Sequence, residues 1–267
     1  MDITSRRPLG RTGLRLSPVG FGAFKIGRNQ GIKYREGYDL PSDDQSDAIL
    51  HGVLDLGVNL VDTAPAYGSS EERIGRALAD RRDSYVLSTK VGETWENGEG
   101  RYDFSSSAID RSLDRSLNRL RTDHLDIVLV HSDGRDLEII RHGDALDTLT
   151  RRRDRGDIGL VGFSGKTVAG HQAAMDSGCV DVLMVEYHAL DESQLPVIEE
   201  AERRGIGVLV KKGLASGKIP ANQAIPACLK PSGVASVVVG SLNLEHLRMN
   251  LQMALDSRPD PDQTSSR

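Results

Sequence analysis

Short apolar runs and longer amphipathic stretches take turns along this chain. Strand-like runs begin near Val19, Asn59, Tyr85, Asp126, Ile158, Asp181, Gly207 and Ser236, and a helix-compatible stretch follows each one. Such alternation predicts βα units joined into a parallel sheet. Eight units in succession predict an α/β fold, a closed (β/α)8 TIM barrel with an outer ring of helices. Ile109, Leu113, Leu117 and Leu120 form one apolar stripe at helical spacing, which reads as core packing. Ser69 and Glu72 have the spacing of a capping box opening a helix to Asp80, and Asp191 with Gln194 repeats it before Leu195. Gly57 and Gly205 stand where left-handed residues end helices. Asn243 is expected to cap a last helix whose Leu244, Leu247 and Leu251 face the barrel.

Ahead of the first strand, Arg7-Pro-Leu-Gly-Arg-Thr-Gly-Leu-Arg-Leu-Ser-Pro reads as a β-hairpin with Gly10 and Gly13 in its turn. Such a hairpin could plug the far end of the barrel. Two polar loops, 25–43 and 92–104, follow the first and third strands on the face where barrel enzymes build their pockets. Residues 256–267 are rich in Pro, Ser and Asp and read as a disordered tail, so residues 1–255 are expected to form a single domain.

Composition narrows the possibilities. With 267 residues, 38% of them hydrophobic, the chain can bury one sizeable core. A net charge of −5 argues against nucleic acid or an anionic membrane as partner. The densest basic run, Arg151-Arg152-Arg153, reads as a solvated helix end favoured by the macrodipole. Cys179 and Cys228 fit a reduced compartment and lack the spacing of a zinc site, so no metal is expected. The N-terminus lacks an apolar signal region, and no run approaches about 18 apolar residues. A cytoplasmic location is expected.

Three apolar runs end in chemistry. Asn59-Leu-Val-Asp62 leads to Tyr67 in a turn, Tyr85-Val-Leu-Ser-Thr closes on Lys90, and Leu125-Asp-Ile-Val-Leu-Val closes on His131. In a parallel barrel these four side chains meet at one mouth. A lysine beside a tyrosine favours the phenolate and is expected to lower its pKa from about 10 toward neutrality. That tyrosine can donate a proton to a carbonyl oxygen as it becomes an alkoxide. An aspartate keeps the lysine charged, and a histidine adds a hydrogen bond that fixes the approach of the carbonyl. Carbonyl reduction fits, and because no side chain supplies a hydride, a nicotinamide cofactor is implied.

These segments resemble the aldo-keto reductase superfamily from the N-terminal hairpin to about Asn250. The signature is carried by Gly57-Val-Asn-Leu-Val-Asp-Thr-Ala-Pro-Ala-Tyr-Gly68, by Ser88-Thr-Lys-Val91, and by Asp123-His-Leu-Asp126 leading to His131-Ser-Asp133. The resemblance implies that Tyr67 is the general acid, that Lys90 and Asp62 tune it, and that His131 orients the substrate. It also implies NADP or NAD, with NADP slightly favoured, bound in extended form without a Rossmann motif.

The implied cofactor residues match less fully. Ser164 and Glu186 would contact the carboxamide, with Tyr187 beside it, although the family's usual Asn is Gly165 here. Lys211 stands where an aromatic side chain often stacks on the nicotinamide, and Leu214 and Ser216 belong to the following loop. Gly240, Ser241, His246 and Asn250 would bind the adenosine-side phosphate at a helix start. The stretch between Gly217 and Ser236 is short for the family, implying an abbreviated seventh helix.

Trp95, the only tryptophan, reads as a wall of the substrate pocket, with Phe24 and Tyr102 as further candidates. His188 is expected to be structural, and His51 and His142 to lie on helix surfaces. Two alternatives compete with the reductase. One is a cofactor-binding regulatory subunit, which the intact four residues disfavour. The other is a Schiff-base lyase, which would need a desolvated Lys211 because Asp62 keeps Lys90 protonated.

Overall fold

The apolar runs lie side by side in a computed structural model that describes residues 5–31, 37–96 and 98–257. Eight parallel strands close a barrel: β3 (Val19–Gly22), β4 (Leu60–Asp62), β5 (Val86–Val91), β8 (Leu125–His131), β9 (Ile158–Ser164), β10 (Val182–Glu186), β11 (Gly207–Lys211) and β12 (Val234–Val239). They neighbour one another in that order, and β12 returns to β3 through Val237 opposite Val19. Every predicted strand is present and the TIM barrel is realised.

Alternation along each strand divides the core. Leu60, Val86, Ile127, Leu129, Val182, Met184 and Leu209 turn inward and pack together, while their neighbours Val61, Leu87, Val128, Val130, Leu183 and Val208 pack outward against helices. The antiparallel pair β1 (Arg7–Pro8) and β2 (Arg15–Leu16) forms the expected N-terminal hairpin. Its Leu9 and Leu16 are fully buried in the inward cluster, so the hairpin seals the floor of the barrel. The seal brings backbones into contact: Arg11 N donates to Gly205 O at 2.8 Å, and a Cβ on Gly10 (φ +53°) would stand 2.4 Å from that oxygen. Only glycine fits there.

The outer layer is α1 (Asp43–Asp55), α2 (Ser70–Leu78), α3 (Ser106–Leu120), α4 (Asp136–His142), α5 (Ala145–Arg155), α6 (Val168–Asp176), α7 (Leu195–Arg204), α8 (Ala221–Leu229) and α9 (Leu244–Asp256). The stripe on α3 buries Ile109, Leu113 and Leu120, with Leu117 partly covered. Gly57 and Gly205 take the left-handed conformation, and Asn243 Oδ1 accepts from the amides of Glu245 and His246. The helix after the seventh barrel strand, α8, has 9 residues, as many as α2 and α6, with Pro226 inside it.

Several expectations are corrected. The capping box is at Ser42 and Gln45, which open α1 reciprocally, and not at Ser69 and Glu72. Ser69 holds a turn conformation because its amide reaches Gly27 O at 3.2 Å, and Glu72 pairs with Arg119 instead. Asp191 likewise caps nothing on α7; it accepts from Ser193 N. Within 92–104, where a loop is expected, β6 (Glu93–Glu96) and β7 (Glu99–Tyr102) pair antiparallel. Arg152 is not solvated: it is 5% exposed, held by Asp157 at 2.6 Å and Asp114 at 2.8 Å, because three acids from α3 and the β9 approach converge on it. Helix α9 runs to Asp256, into the stretch expected as tail, and 258–267 lie outside the described residues.

Candidate active site

Inward parity places Asp62, Lys90 and His131 at the upper ends of β4, β5 and β8, with Ser164 and Lys211 in the same role on β9 and β11. They line a cavity of ≈ 380 Å³ at the C-terminal mouth together with Tyr67 and Phe24. A larger groove, ≈ 720 Å³ between the β6–β7 hairpin and α3, holds none of these residues.

Lys90 is 1% exposed and fully engaged. Its Nζ donates to Asp62 Oδ1 at 2.8 Å, Asp62 Oδ2 at 2.7 Å and Thr63 O at 2.8 Å, and it also hydrogen-bonds the Tyr67 hydroxyl. Ser88 Oγ donates to Asp62 Oδ1 at 2.9 Å. Burial works against the ammonium, yet Asp62 and Tyr67 hold its pKa above the ordinary lysine value. Tyr67 sits on the β4–α2 turn, where its amide reaches Ala64 O at 3.0 Å. The next residue, Gly68, is left-handed (φ +61°), and a Cβ on it would come 2.2 Å from Gly27 O. Phe24 meets the Tyr67 ring edge-on at 5.0 Å, and the His131 ring stands 6.3 Å away.

The expected lowering of the Tyr67 pKa is reversed. Burial pushes the phenol above its ordinary value, and the nearby Asp62 adds to this, while Lys90 pulls the other way without prevailing. Desolvation of the anion outweighs a single cation already shared with a carboxylate. Tyr67 is therefore a protonated phenol at neutral pH.

Residues missed in the sequence complete the mouth. Glu93 Oε2 lies 2.8 Å from His131 Nδ1, off the line of an ideal N–H···O bond. Burial alone would raise the Glu93 carboxyl, but His131, Tyr102 and Arg28 bring it below the usual range. Burial lowers the His131 pKa, and Lys90 and Lys211 add to the effect against Glu93. Arg28 stacks over Trp95 at 3.1 Å from the ring centroid and donates to Ala66 O at 3.0 Å. Trp95 thus reaches the cavity through Arg28 and does not itself line it. An acid and an arginine just beyond barrel strands were the available signal, but neither belongs to a barrel strand whose parity would place it.

The cofactor candidates divide. Ser164, Lys211, Ser216 and Gly240 line the cavity, joined by Lys166 and Lys212. Lys211 Nζ donates to Ser164 Oγ at 3.0 Å and Gly165 O at 2.8 Å. Its burial, with Lys212 and Lys90 nearby, brings its pKa down to about 7. Glu186 is not among the lining residues and pairs with Lys212, which is. Tyr187 and Leu214 pack in the hydrophobic layer. Ser241 and Asn250 are buried near α9, His246 is exposed, and Arg248 is tied to Glu245 at 2.6 Å. His188 is buried and bridges to Asp191 through the backbone, while His51 is half-buried and His142 exposed.

The glycine at 165 has a local cause. A Cβ there would stand 2.7 Å from the Phe163 ring and 2.9 Å from His171 Nε2, on a ring fixed by Gln194 at 2.9 Å. Gly165→Asn is expected to destabilise the fold by about 1–3 kcal/mol. Adding His171→Ala should then cost less than it does alone, which denaturant unfolding of the double-mutant cycle checks.

Among the described residues no group of three or more His, Cys, Asp or Glu could hold a metal ion, and no helix is long and apolar enough to cross a membrane. A family model described as the Aldo/keto reductase family matches residues 18–231. The chain is 31% identical to the L-galactose dehydrogenase of Arabidopsis thaliana, over 79% of this chain and 66% of that protein. It is 29% identical to an NADH-specific methylglyoxal reductase of Escherichia coli, over 78% of this chain and 69% of that one. A Pseudomonas aeruginosa protein assigned as an aldo-keto reductase superposes with a TM-score of 0.86 at 42% identity, covering 94% of this chain and 95% of that one.

Proposed function

The chain belongs to the aldo/keto reductase family, and from that membership we propose that it passes a hydride between a nicotinamide cofactor and an aldehyde or ketone, or the alcohol in reverse. One observation carries the residue roles: a buried ammonium, Lys90, bonded at once to both Asp62 oxygens and to Thr63 O, with its Nζ 4.9 Å from the centroid of the Tyr67 ring. Tyr67 donates its proton to the carbonyl oxygen as negative charge builds there. Lys90 stabilises the phenolate that remains, and Asp62 holds Lys90 charged and in line. His131 meets the polar end of the substrate across the cavity. In reverse, the phenolate recovers the proton from the alcohol.

The donor set fits a dinucleotide. Arg28 and Lys166 give the cavity positive charge suited to a diphosphate, Lys211 adds to it when protonated, and Ser164 and Ser216 offer hydroxyls to an amide or phosphate oxygen. The bound nicotinamide would supply the hydride for reduction or accept it for oxidation. At the far end Arg248 is committed to Glu245, and Asn243 occupies the first amides of α9. Discrimination for a 2′-phosphate is then modest, and we read NADP and NAD as both usable, with a slight bias to NADP. Relatives named for L-galactose and methylglyoxal, together with the polar mouth, support a small oxygenated carbonyl as substrate. The reading includes a single domain that extends through α9 to Asp256 and a reduced, cytoplasmic setting, which the two free cysteines support.

The test is oxidation of NADH and NADPH by the protein with a panel of small aldehydes and aldoses, and competitive titration of both cofactors. Turnover with either cofactor is expected, with a preference below about a thousandfold, some 4 kcal/mol. No hydride transfer to any of them overturns the reductase reading. The pKa of about 7 at Lys211 favours one second reading, an imine at that amine. Borohydride trapping of a substrate adduct on Lys211, without cofactor, would replace the reductase by the lyase.

A further inference from the structure

We infer that Glu93 fixes the tautomer of His131, so that the ring nitrogen facing the cavity accepts a hydrogen bond from a substrate hydroxyl beside the reacting carbon. The inference rests on the reductase reading for its kinetic consequence, but not for the tautomer itself.

The geometry starts from the β6–β7 hairpin. Glu93 opens β6 and is paired in register with Tyr102 of β7, whose hydroxyl also meets the Glu93 carboxylate. Arg28 adds its positive charge to the same carboxylate. Both partners favour the ionised form, which can only accept hydrogen bonds. Its Oε2 lies 2.8 Å from His131 Nδ1, an atom with no exposed surface. A proton on Nδ1 is attracted by the carboxylate, whereas a lone pair there would face an anion at contact distance. Nδ1 is therefore the protonated nitrogen, and Nε2 is the one left for the cavity.

The second proton is opposed from every other side. The ring is buried, and the Lys90 ammonium, with Lys211 whenever that amine is protonated, adds positive charge beside it. These disfavour imidazolium and keep His131 neutral near pH 7. A neutral ring protonated at Nδ1 has an acceptor, not a donor, at Nε2.

This divides the labour at the mouth. Tyr67 is the donor to the carbonyl oxygen, and Nε2 cannot be a second one. It needs a donor of its own, which a hydroxyl on the adjacent carbon supplies. An alkyl carbonyl leaves Nε2 without a partner in a partly desolvated site, and sites built to bond a hydroxyl discriminate against analogues lacking it. The substrate class is then an α-hydroxy aldehyde or ketone, including open-chain sugars.

Two measurements test the proposal. In ¹⁵N-histidine-labelled protein at pH 7.5, with the His131 signals assigned through His131→Asn, Nδ1 is expected at the shift of a protonated nitrogen and Nε2 at that of a lone-pair nitrogen. The reverse pattern in the wild type overturns the tautomer, and a change of tautomer population in Glu93→Leu supports it. The second compares glycolaldehyde with propanal, which has the same number of heavy atoms, using NADH or NADPH and correcting for the free-aldehyde fraction. Glu93→Leu is expected to cut kcat/KM for glycolaldehyde about tenfold more than for propanal. Equal losses overturn the hydroxyl contact. If the wild type reduces neither aldehyde, the hydroxyl contact and the reductase reading for such substrates both fail, while the ring-nitrogen shifts still decide the tautomer.

Discussion

Tyr67→Phe is expected to lower kcat for aldehyde reduction by about 10³-fold, within the range removed with a general acid, while the cofactor Kd changes by less than about twofold. The substitution takes away one oxygen and little else. Phenylalanine keeps the edge contact with Phe24 at 5.0 Å and the approach to His131 at 6.3 Å, and Lys90 keeps both Asp62 oxygens and Thr63 O. A large loss of turnover with a preserved fold and preserved fluorescence quenching of NADH or NADPH would isolate the proton transfer. Retention of most of the wild-type kcat would remove Tyr67 from the acid role. The pH profile carries the same information. Because burial holds the phenol above its ordinary value, the donor stays protonated as pH rises through neutrality. Reduction should fall only above pH about 10, the ordinary phenol value, and not near pH 7.

The largest loss of stability is expected at Lys90→Met. Removing one partner of a buried pair strands the other, and such changes cost about 3–5 kcal/mol. Asp62, 3% exposed, would keep only the Ser88 hydroxyl at 2.9 Å among its present side-chain donors. Activity should disappear as well, since nothing would then stabilise the phenolate of Tyr67. Adding Asp62→Asn removes the stranded charge, so the double variant should recover part of the stability and none of the activity. Urea unfolding of the two single variants and the double one measures the coupling. A fully additive cycle would mean that the pair does not act as a unit.

The barrel was legible because parallel strands buried on both faces are continuous apolar runs, and eight of them punctuate this chain. The upper site was legible for a related reason. Asp62, Lys90 and His131 end their runs at positions whose parity points inward, and Ser164 and Lys211 obey the same rule. Glu186 has that parity too, yet its carboxylate pairs with Lys212, a contact between two side chains that a linear pattern does not reveal. Glu93 and Arg28 escaped notice because their backbone is set by hairpin pairing and by a turn after β3. The direction of the Tyr67 shift was misjudged for want of one quantity, burial, since proximity to Lys90 was correct and insufficient. Arg152 failed similarly: three arginines in a row look solvated until Asp110, Asp114 and Asp157 are brought around the middle one.

The hairpin beneath the barrel makes the molecule a cul-de-sac. Leu9 and Leu16 pack with Leu60, Ile127 and Leu209 in one buried cluster, so that end of the barrel is filled with side chains. A guest therefore approaches the Lys90–Asp62 pair from the C-terminal mouth, where the lining residues of the cavity lie.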